Sequence, residues 1–405
     1  MAIAKGKALI GQSGGPTCVI NQSLVGVVEV LGFYPEVTAI YGARHGVKGI
    51  LKQDFIDLSR QSSRTLERVA DTPGAALGSV RQKPTPEECE QIFQVCRKHD
   101  IRYFFYIGGN DSAEAADIIN SLAKSQSYEL RLFHVPKTID NDLLVTDHCP
   151  GYGSAARFVA AAFMGDNLDT RSLPGIKINI VMGRHAGFLT AASILARRHP
   201  GDGPHLVYLP ERVFSLESFA ADVQKVYSSL GRCLIAVSEG IHDAQGKPIF
   251  TTGEKDAFGN VQLSGTGALG DALADYVRKN VTDPKGKPPR VRADTFGYLQ
   301  RSFPGFASPV DRKEARDVGR AAARFAVKLD TDGSVALRRV ADGKDYACET
   351  FLTPLASVAK KTKSLSDQYI SDAANDVLDG YRAYVEPLVG ELPEVALLDD
   401  HRVAL

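Results

Sequence analysis

Neither sign of charge is in excess: Lys and Arg total 48, Asp and Glu total 48, and the formal net charge is zero. A chain so balanced has no general attraction for nucleic acid or for acidic membranes, so any phosphate site must be assembled locally. Long hydrophobic runs are also missing. No stretch approaches the length of a membrane span, and Met1–Lys7 lacks the apolar region of a secretion signal. Six cysteines (Cys18, Cys89, Cys96, Cys149, Cys233, Cys348) form no CxxC pair and no His-spaced zinc pattern, so they read as reduced structural thiols. Together these absences lead to the expectation of a cytoplasmic protein with no nucleic-acid or membrane partner. His45, His99, His134 and His148 likewise show no metal spacing and read as surface or satisfied core residues. No internal repeat of fixed period is evident.

What is present is a soluble globular composition, 44% hydrophobic and 24% charged over 405 residues, too long for one ordinary core. Two domains are the natural expectation. Apolar runs at Lys7–Ile10, Val37–Tyr41, Ile101–Ile107 and Leu130–Val135 read as strands. Helical patterns alternate with them at Val19–Leu31, Thr85–His99 and onward from Ser112 to Ala123. The rhythm restarts after Gly151, with helices at Ser154–Leu168, Ala186–Arg198 and Ser215–Leu230 and strands at Lys177–Val181, His205–Leu209 and Cys233–Val237. His242–Gly267 reads as a polar excursion and Asp283–Arg290 as a Pro/Lys linker. A helix over Asp311–Val327, a strand over Gly333–Val340, a helical tail from Ser364 to Val385 and an irregular end from Pro387 complete the expectation. The fold class is thus α/β, two similar three-layer domains with mainly parallel sheets and a cleft between them.

Three strands end in polar clusters. Lys7–Ile10 runs into Gly11-Gln12-Ser13-Gly14-Gly15-Pro16, a glycine turn before a helix that suits phosphate, although it matches neither the dinucleotide fingerprint nor the Walker lysine pattern. Ile101–Ile107 runs into Gly108-Gly109-Asn110-Asp111-Ser112, whose oxygens could hold magnesium directly or through water. Leu130–Val135 runs into Pro136-Lys137-Thr138-Ile139-Asp140-Asn141-Asp142. A hydroxyl attacking phosphorus needs a carboxylate to accept its proton and cations to neutralise the group in flight, and Asp140 and Lys137 suit those tasks. Taken singly, each cluster is equally a ligand-free turn. On successive β-α units all three would converge on one edge of a parallel sheet, where such folds bind ligands. The second half adds Met182-Gly183-Arg184-His185 and Ser238-Glu239-Gly240 at strand ends, and Arg292 to Arg301 after the linker.

Ser13-Gly14-Gly15, the Gly108–Ser112 and Lys137–Asp142 clusters, Met182–His185 and Gly297-Tyr298-Leu299-Gln300-Arg301 together resemble the phosphofructokinase family in order and spacing, over about three quarters of the chain. The resemblance implies phosphoryl transfer to the 1-hydroxyl of fructose 6-phosphate in an interdomain cleft. It makes Asp140 the base, with Thr138 and Asp142 beside it, and Arg184 a contact to the reacting groups. Met182, Gly183 and Glu239 match sugar positions, and Tyr298 and Arg301 match 6-phosphate positions. Tyr298 stands where many relatives carry histidine, and both can donate a hydrogen bond to phosphate. Arg292 would reach a neighbouring subunit's site, which implies at least a dimer, a homodimer or homotetramer. Arg81 follows a Gly-Ser loop like the one before the family's donor-contacting arginine, and Gly14, Gly15, Asp111 and Ser112 fall at donor positions.

Two positions bear on the donor. ATP-using members read GGDGS where this chain has Asp111 in the fourth place, and a carboxylate there fills the volume and repels a nucleotide's α-phosphate. Lys137 resembles the lysine of pyrophosphate-using members, where ATP users have glycine. Both point to pyrophosphate. Asn110 departs from the family's magnesium-ligating aspartate, which leaves Mg2+ to pyrophosphate oxygens and water with Asn110 near them. An ATP-dependent enzyme of the same fold and a non-catalytic sugar-phosphate-binding subunit remain the alternatives. The resemblance divides the chain into a donor domain, 1–151 plus about 302–350, and a sugar-phosphate domain, about 152–301 plus 351–405 with its tail.

Overall fold

The structure is a computed structural model that describes residues 3–250, 267–283, 285–329, 331–359 and 362–399. Most of the polar excursion expected over His242–Gly267 lies outside those residues, as does Pro284 of the linker.

Among the described residues the strands are β1 (Gly6–Gln12), β2 (Val37–Ala43), β3 (Phe55–Asp57), β4 (Ile101–Gly108), β5 (Arg131–Pro136), β6 (Ile176–Val181), β7 (Leu206–Tyr208), β8 (Cys233–Ser238), β9 (Val291–Thr295), β10 (Gly333–Ala341) and β11 (Ala347–Thr353). They form two sheets, in the orders β11-β10-β5-β4-β1-β2-β3 and β7-β8-β6-β9. Within the first, β10, β5, β4, β1 and β2 pair in parallel, and only the edge strands β11 and β3 run antiparallel. The second is wholly parallel.

The near-continuous apolar character of β4 and β8 is what a strand covered on both faces requires. Tyr103, Phe105 and Ile107 enter one cluster with the helices Ile20–Leu31 and Pro309–Lys328, while Phe104 and Tyr106 point to the opposite face and the helices Pro86–Lys98 and Asn110–Ser125. In the second sheet Ile178, Ile180, Ile235 and Val237 pack on one side, and Val181, Leu234 and Ala236 on the other. The period-two alternation makes each unit three layers deep. The chain is therefore α/β with two such units.

Local chemistry explains where the helices begin. At Pro86–Lys98, Thr85 and Glu88 form a reciprocal capping box, with Pro86 in the first turn. Two expectations fail. Ala186–Arg198 is not one helix but a short helix, Phe188–Ala192, followed by a 3-10 turn, Ser193–Ala196. Every residue of the pair is buried, so tertiary packing rather than an amphipathic repeat sets its shape. The tail from Ser364 is irregular apart from a turn at Asp367–Tyr369, and becomes helical only over Gly380–Val389, past Pro387. Side chains compete for its backbone: Asp376 N donates to Ser371 Oγ (3.1 Å) and Val377 N to Asp376 Oδ1 (2.7 Å). The edge strands β3 and β11 and the helices Val47–Lys52, Ser63–Ala70 and Ala268–Asn280 were not anticipated.

Candidate active site

β5, β4 and β1 are neighbours in register, with Gln12 opposite Ile107 and Gly108 opposite Pro136. The three polar clusters thus leave the sheet side by side at its C-terminal edge. From the second sheet, Val181 pairs with Ser238 and Ile180 with Thr295, which sends Met182–His185, Glu239 and the 296–301 segment toward the same space. One cleft is lined by Gly14, Gly15, Arg81, Asn110, Asp111, Ser112, Lys137, Thr138, Asp140, Asp142, Met182, Arg184, Glu239 and Arg301, together with Ser13, Gly109, Ile139 and His185. Gly183 lies against it: its N–H faces Glu239 Oε1 at 3.5 Å and its carbonyl accepts from Ser238 Oγ at 2.6 Å. Arg292 does not line the cleft. It is exposed on β9, and its Nη1 donates to Val291 O (3.1 Å).

Glycines let backbone approach charge. Gly14 has φ +76°, and a β-carbon there would come within 3.1 Å of Lys137 Nζ; at Gly15 it would come within 2.7 Å of Arg301 Nη1. Lys137 is 3% exposed and its ammonium donates to Gly15 O at 2.7 Å. The loop before Arg81 docks on the same turn, with Ser79 Oγ donating to Gly14 O (2.6 Å), Gly14 N to Val80 O (3.1 Å) and Leu77 N to Gln12 Oε1 (2.9 Å). These bonds, invisible in the spacing, bring an arginine 67 residues downstream of Gly14 to the β1 turn. The Tyr298 ring lies beneath two guanidiniums, 4.2 Å from Arg301 and 5.9 Å from Arg81.

Asp111 stands in the first turn of the helix Asn110–Ser125, where the positive helix end favours an acid. Gly108 must be glycine, because a β-carbon would sit 2.0 Å from Ser112 Oγ. Asn110 Nδ2 donates to Asp142 Oδ2 (3.3 Å), while Asn110 Oδ1 and Asp140 Oδ1 are buried with no hydrogen-bond partner. Asp140 N donates to Thr138 Oγ1 at 3.1 Å.

Burial dominates the electrostatics. It raises Asp140 above the usual carboxylate range, although Arg301, Lys137 and Arg184 pull the other way. Burial and then Asp140 push Asp142 up to about 7. Burial and the Arg301 charge push Lys137 down to about 7. Arg301 is lowered by burial and by Arg81. Acids driven up and a lysine driven down mark a site stripped of water, where one anion set against Lys137 and Arg301 would be strongly held.

An arrangement with a buried acid, neighbouring cations and a helix N-terminus at one sheet edge is built for moving a phosphoryl group, and the sequence comparison decides the family: residues 7–326 match the model described as "Phosphofructokinase". The chain belongs to the phosphofructokinase family. Among curated phosphofructokinase relatives, it is 52% identical over 405 residues to the "Pyrophosphate--fructose 6-phosphate 1-phosphotransferase" of Rhodospirillum rubrum, covering 99% of this chain and 98% of that one. It is 38% identical to the protein of the same name from Xanthomonas campestris, over 96% of this chain and 93% of that one. The crystal structure described as a pyrophosphate-dependent phosphofructokinase from Marinobacter aquaeolei superposes with a TM-score of 0.84 at 32% identity, covering 97% of this chain and 94% of that one.

Outside the phosphofructokinase cleft, His134 and His148 are satisfied core groups, while His45 is exposed. His134 lies between Gly108 O and Ser334 Oγ, both at 2.8 Å, and burial lowers it to about 4. His148, Glu314 and Cys348 draw close enough for a metal, but both His148 nitrogens are already engaged by Asp147 (2.8 Å) and Glu314 (2.6 Å). The six cysteines are free, and all but Cys348 are buried. No helix among the described residues is long and apolar enough to cross a membrane. His185, which lines the cleft and is lowered by burial and by Arg184, carried no role in the sequence reading; its place directly after Arg184 was the only signal.

Proposed function

We propose that the chain transfers a phosphoryl group reversibly from pyrophosphate to the 1-hydroxyl of fructose 6-phosphate, giving fructose 1,6-bisphosphate and phosphate, a step usable in glycolysis and in gluconeogenesis. The observation that carries the donor assignment is the pairing of Asp111 with buried Lys137 in one cleft. A carboxylate on the helix end excludes an α-phosphate, and the ammonium meets the shorter inorganic donor. The names of the Rhodospirillum and Xanthomonas relatives support the same reading.

Asp140 takes the hydroxyl proton as the sugar oxygen attacks phosphorus in line and phosphate leaves. Its Oδ1, buried and without a hydrogen bond, has a lone pair to receive it. Lys137 and Arg184 face the transferring group, Arg81, Gly14, Gly15, Asp111 and Ser112 surround the donor, and Thr138 and Asp142 orient Asp140. Met182, Gly183 and Glu239 hold the sugar, and Arg301 and Tyr298 its 6-phosphate. Arg292, exposed and outside the cleft, serves a neighbouring subunit, so the working form is a homodimer or homotetramer. The donor side is 1–151 with about 302–350, supported by β10 joining the first sheet. The sugar side is about 152–301 with 351–405, supported by the packing of Leu365, Ile370 and Tyr381 around Phe163 and Leu189, although the end of β11 and Leu355 stay with the first sheet.

Magnesium fits the oxygen atoms present. Asn110 Oδ1 is a buried, unpartnered acceptor, and Asn110 touches Asp142, so these two residues would hold an ion that keeps water and phosphate oxygens as its other ligands. Such an ion would neutralise charge on the transferring group.

A donor screen of the purified chain with pyrophosphate and ATP, in both directions and with fructose 6-phosphate and sedoheptulose 7-phosphate as acceptors, tests the reading. Turnover with pyrophosphate and little with ATP is expected. Turnover with ATP alone would replace it by the nucleotide-dependent activity, and none with either by a binding subunit.

A further inference from the structure

The C-terminal segment crosses behind the turn that carries the two acids. Thr362 bridges Leu143 in antiparallel fashion, and Lys363 N donates to Asp142 O at 2.7 Å. The Lys363 ammonium then donates to the carbonyls of Thr146 (3.1 Å) and Asp147 (2.8 Å). Charge-assisted bonds of this kind are about twice as strong as neutral ones. Two residues on, Leu365 N donates to Glu211 Oε1 (2.9 Å), an oxygen that also accepts from Gly187 N (2.8 Å) in the second unit. A short strap therefore ties the 141–147 loop to the opposite wall of the cleft.

A second tie comes from the helix Gly380–Val389. Tyr384 OH accepts from Asn141 Nδ2 (2.7 Å) and donates to Asp147 O (2.9 Å). Asn141 lies between the two acids, fully buried, with φ +58°. Few side chains tolerate that conformation, and asparagine is one of them. Its Oδ1 accepts from Cys149 N at 2.9 Å, so both ends of the amide are used to set the turn.

The acid that most needs aiming has one oxygen that nothing anchors. Asp140 Oδ1 has no hydrogen bond, so its position is inherited from the backbone on either side. That backbone is held from outside the cleft, and neither Lys363 nor Tyr384 lines it. We propose that Lys363 and Tyr384 are positioning residues for phosphoryl transfer, fixing the Asp140-Asn141-Asp142 turn against the sugar-bearing wall.

The proposal rests on the transferase reading, and unaltered enzyme turning over with pyrophosphate checks that reading separately. Lys363→Met and Tyr384→Phe are then measured for kcat, for both KM values and for the thermal midpoint. Misplaced acids should lower kcat about ten- to a hundredfold with each KM within about twofold. Lys363→Arg, which keeps a cationic donor, should recover most of the loss. Tyr384→Phe removes one oxygen and keeps the ring, so it answers the question even where Lys363→Met fails to fold. Unchanged kcat in both variants overturns the proposal. So does a loss that matches only the fraction unfolded, or Lys363→Arg performing no better than Lys363→Met.

Discussion

Lys137 offers a test in which catalysis and stability move in opposite directions with pH. The side chain is 3% exposed, and burial together with Arg301 brings it from 10.5 down to about 7. In the free enzyme it therefore loses its proton in the range where most assays are run. About half is charged at pH 7, about a tenth at pH 8 and about a hundredth at pH 9. If the ammonium is what meets pyrophosphate, kcat/KM for pyrophosphate should fall about fivefold from pH 7 to 8 and about tenfold from pH 8 to 9. Ionisations of pyrophosphate itself are common to wild type and Lys137→Met, so they cancel in the ratio of the two enzymes. That ratio should drop about fiftyfold between pH 7 and 9. The alkaline limb of kcat should lie higher than that of kcat/KM, because a bound anion restores the lysine proton. The folded pKa lies below the unfolded one, so between pH 7 and 10.5 the unfolded chain binds the extra proton. Lys137 thus adds stability as pH rises, by at most about 1.4 kcal/mol per pH unit. Steady-state kinetics and denaturant titrations across this range check both halves, and a flat wild-type to Lys137→Met ratio would refute the reasoning.

Asp140→Asn keeps the shape of the turn but cannot accept a proton, and kcat should fall more than about a hundredfold; residual activity above that removes Asp140 as the base. Asp111→Gly combined with Lys137→Gly should admit measurable turnover with ATP while pyrophosphate turnover drops, checked by a coupled assay with both donors. Gly240→Ala would set a β-carbon 2.0 Å from Arg184 O, so a loss of about 1–3 kcal/mol is expected in urea unfolding, with raised KM for the sugar phosphate.

The parallel sheets were readable because β4, β5, β6 and β8 are short apolar runs that end in glycine or polar residues, and burial on both faces leaves no other use for such runs. Edge strands such as β3 and β11 escaped, since half-exposed sequence carries a weaker signal and pairing decides it. The cleft was legible where a side chain follows directly on a strand, as Lys137 and Glu239 do, or within three residues of one, as Arg184 does. Arg81 could be reached only by likeness to a family loop, because its place depends on Ser79 and Leu77 bonding to the β1 turn. Asn141, Lys363 and Tyr384 were opaque for the same reason: their meaning lies in carbonyls and amides contributed by distant chain. The tail misled because its charged and small residues mimic a helix, while its Ser and Asp side chains bond the backbone locally.

Hydrogen at Gly14 and Gly15 leaves just enough clearance for a lysine from one unit and an arginine from the other. A single methyl at Gly15 would meet the Arg301 guanidinium first, at 2.7 Å, and push it off its place beside the β1 turn. What looks like a flexible loop is thus a spacer between two buried cations, and on the proposed reaction a side chain there should weaken both phosphate-bearing substrates together.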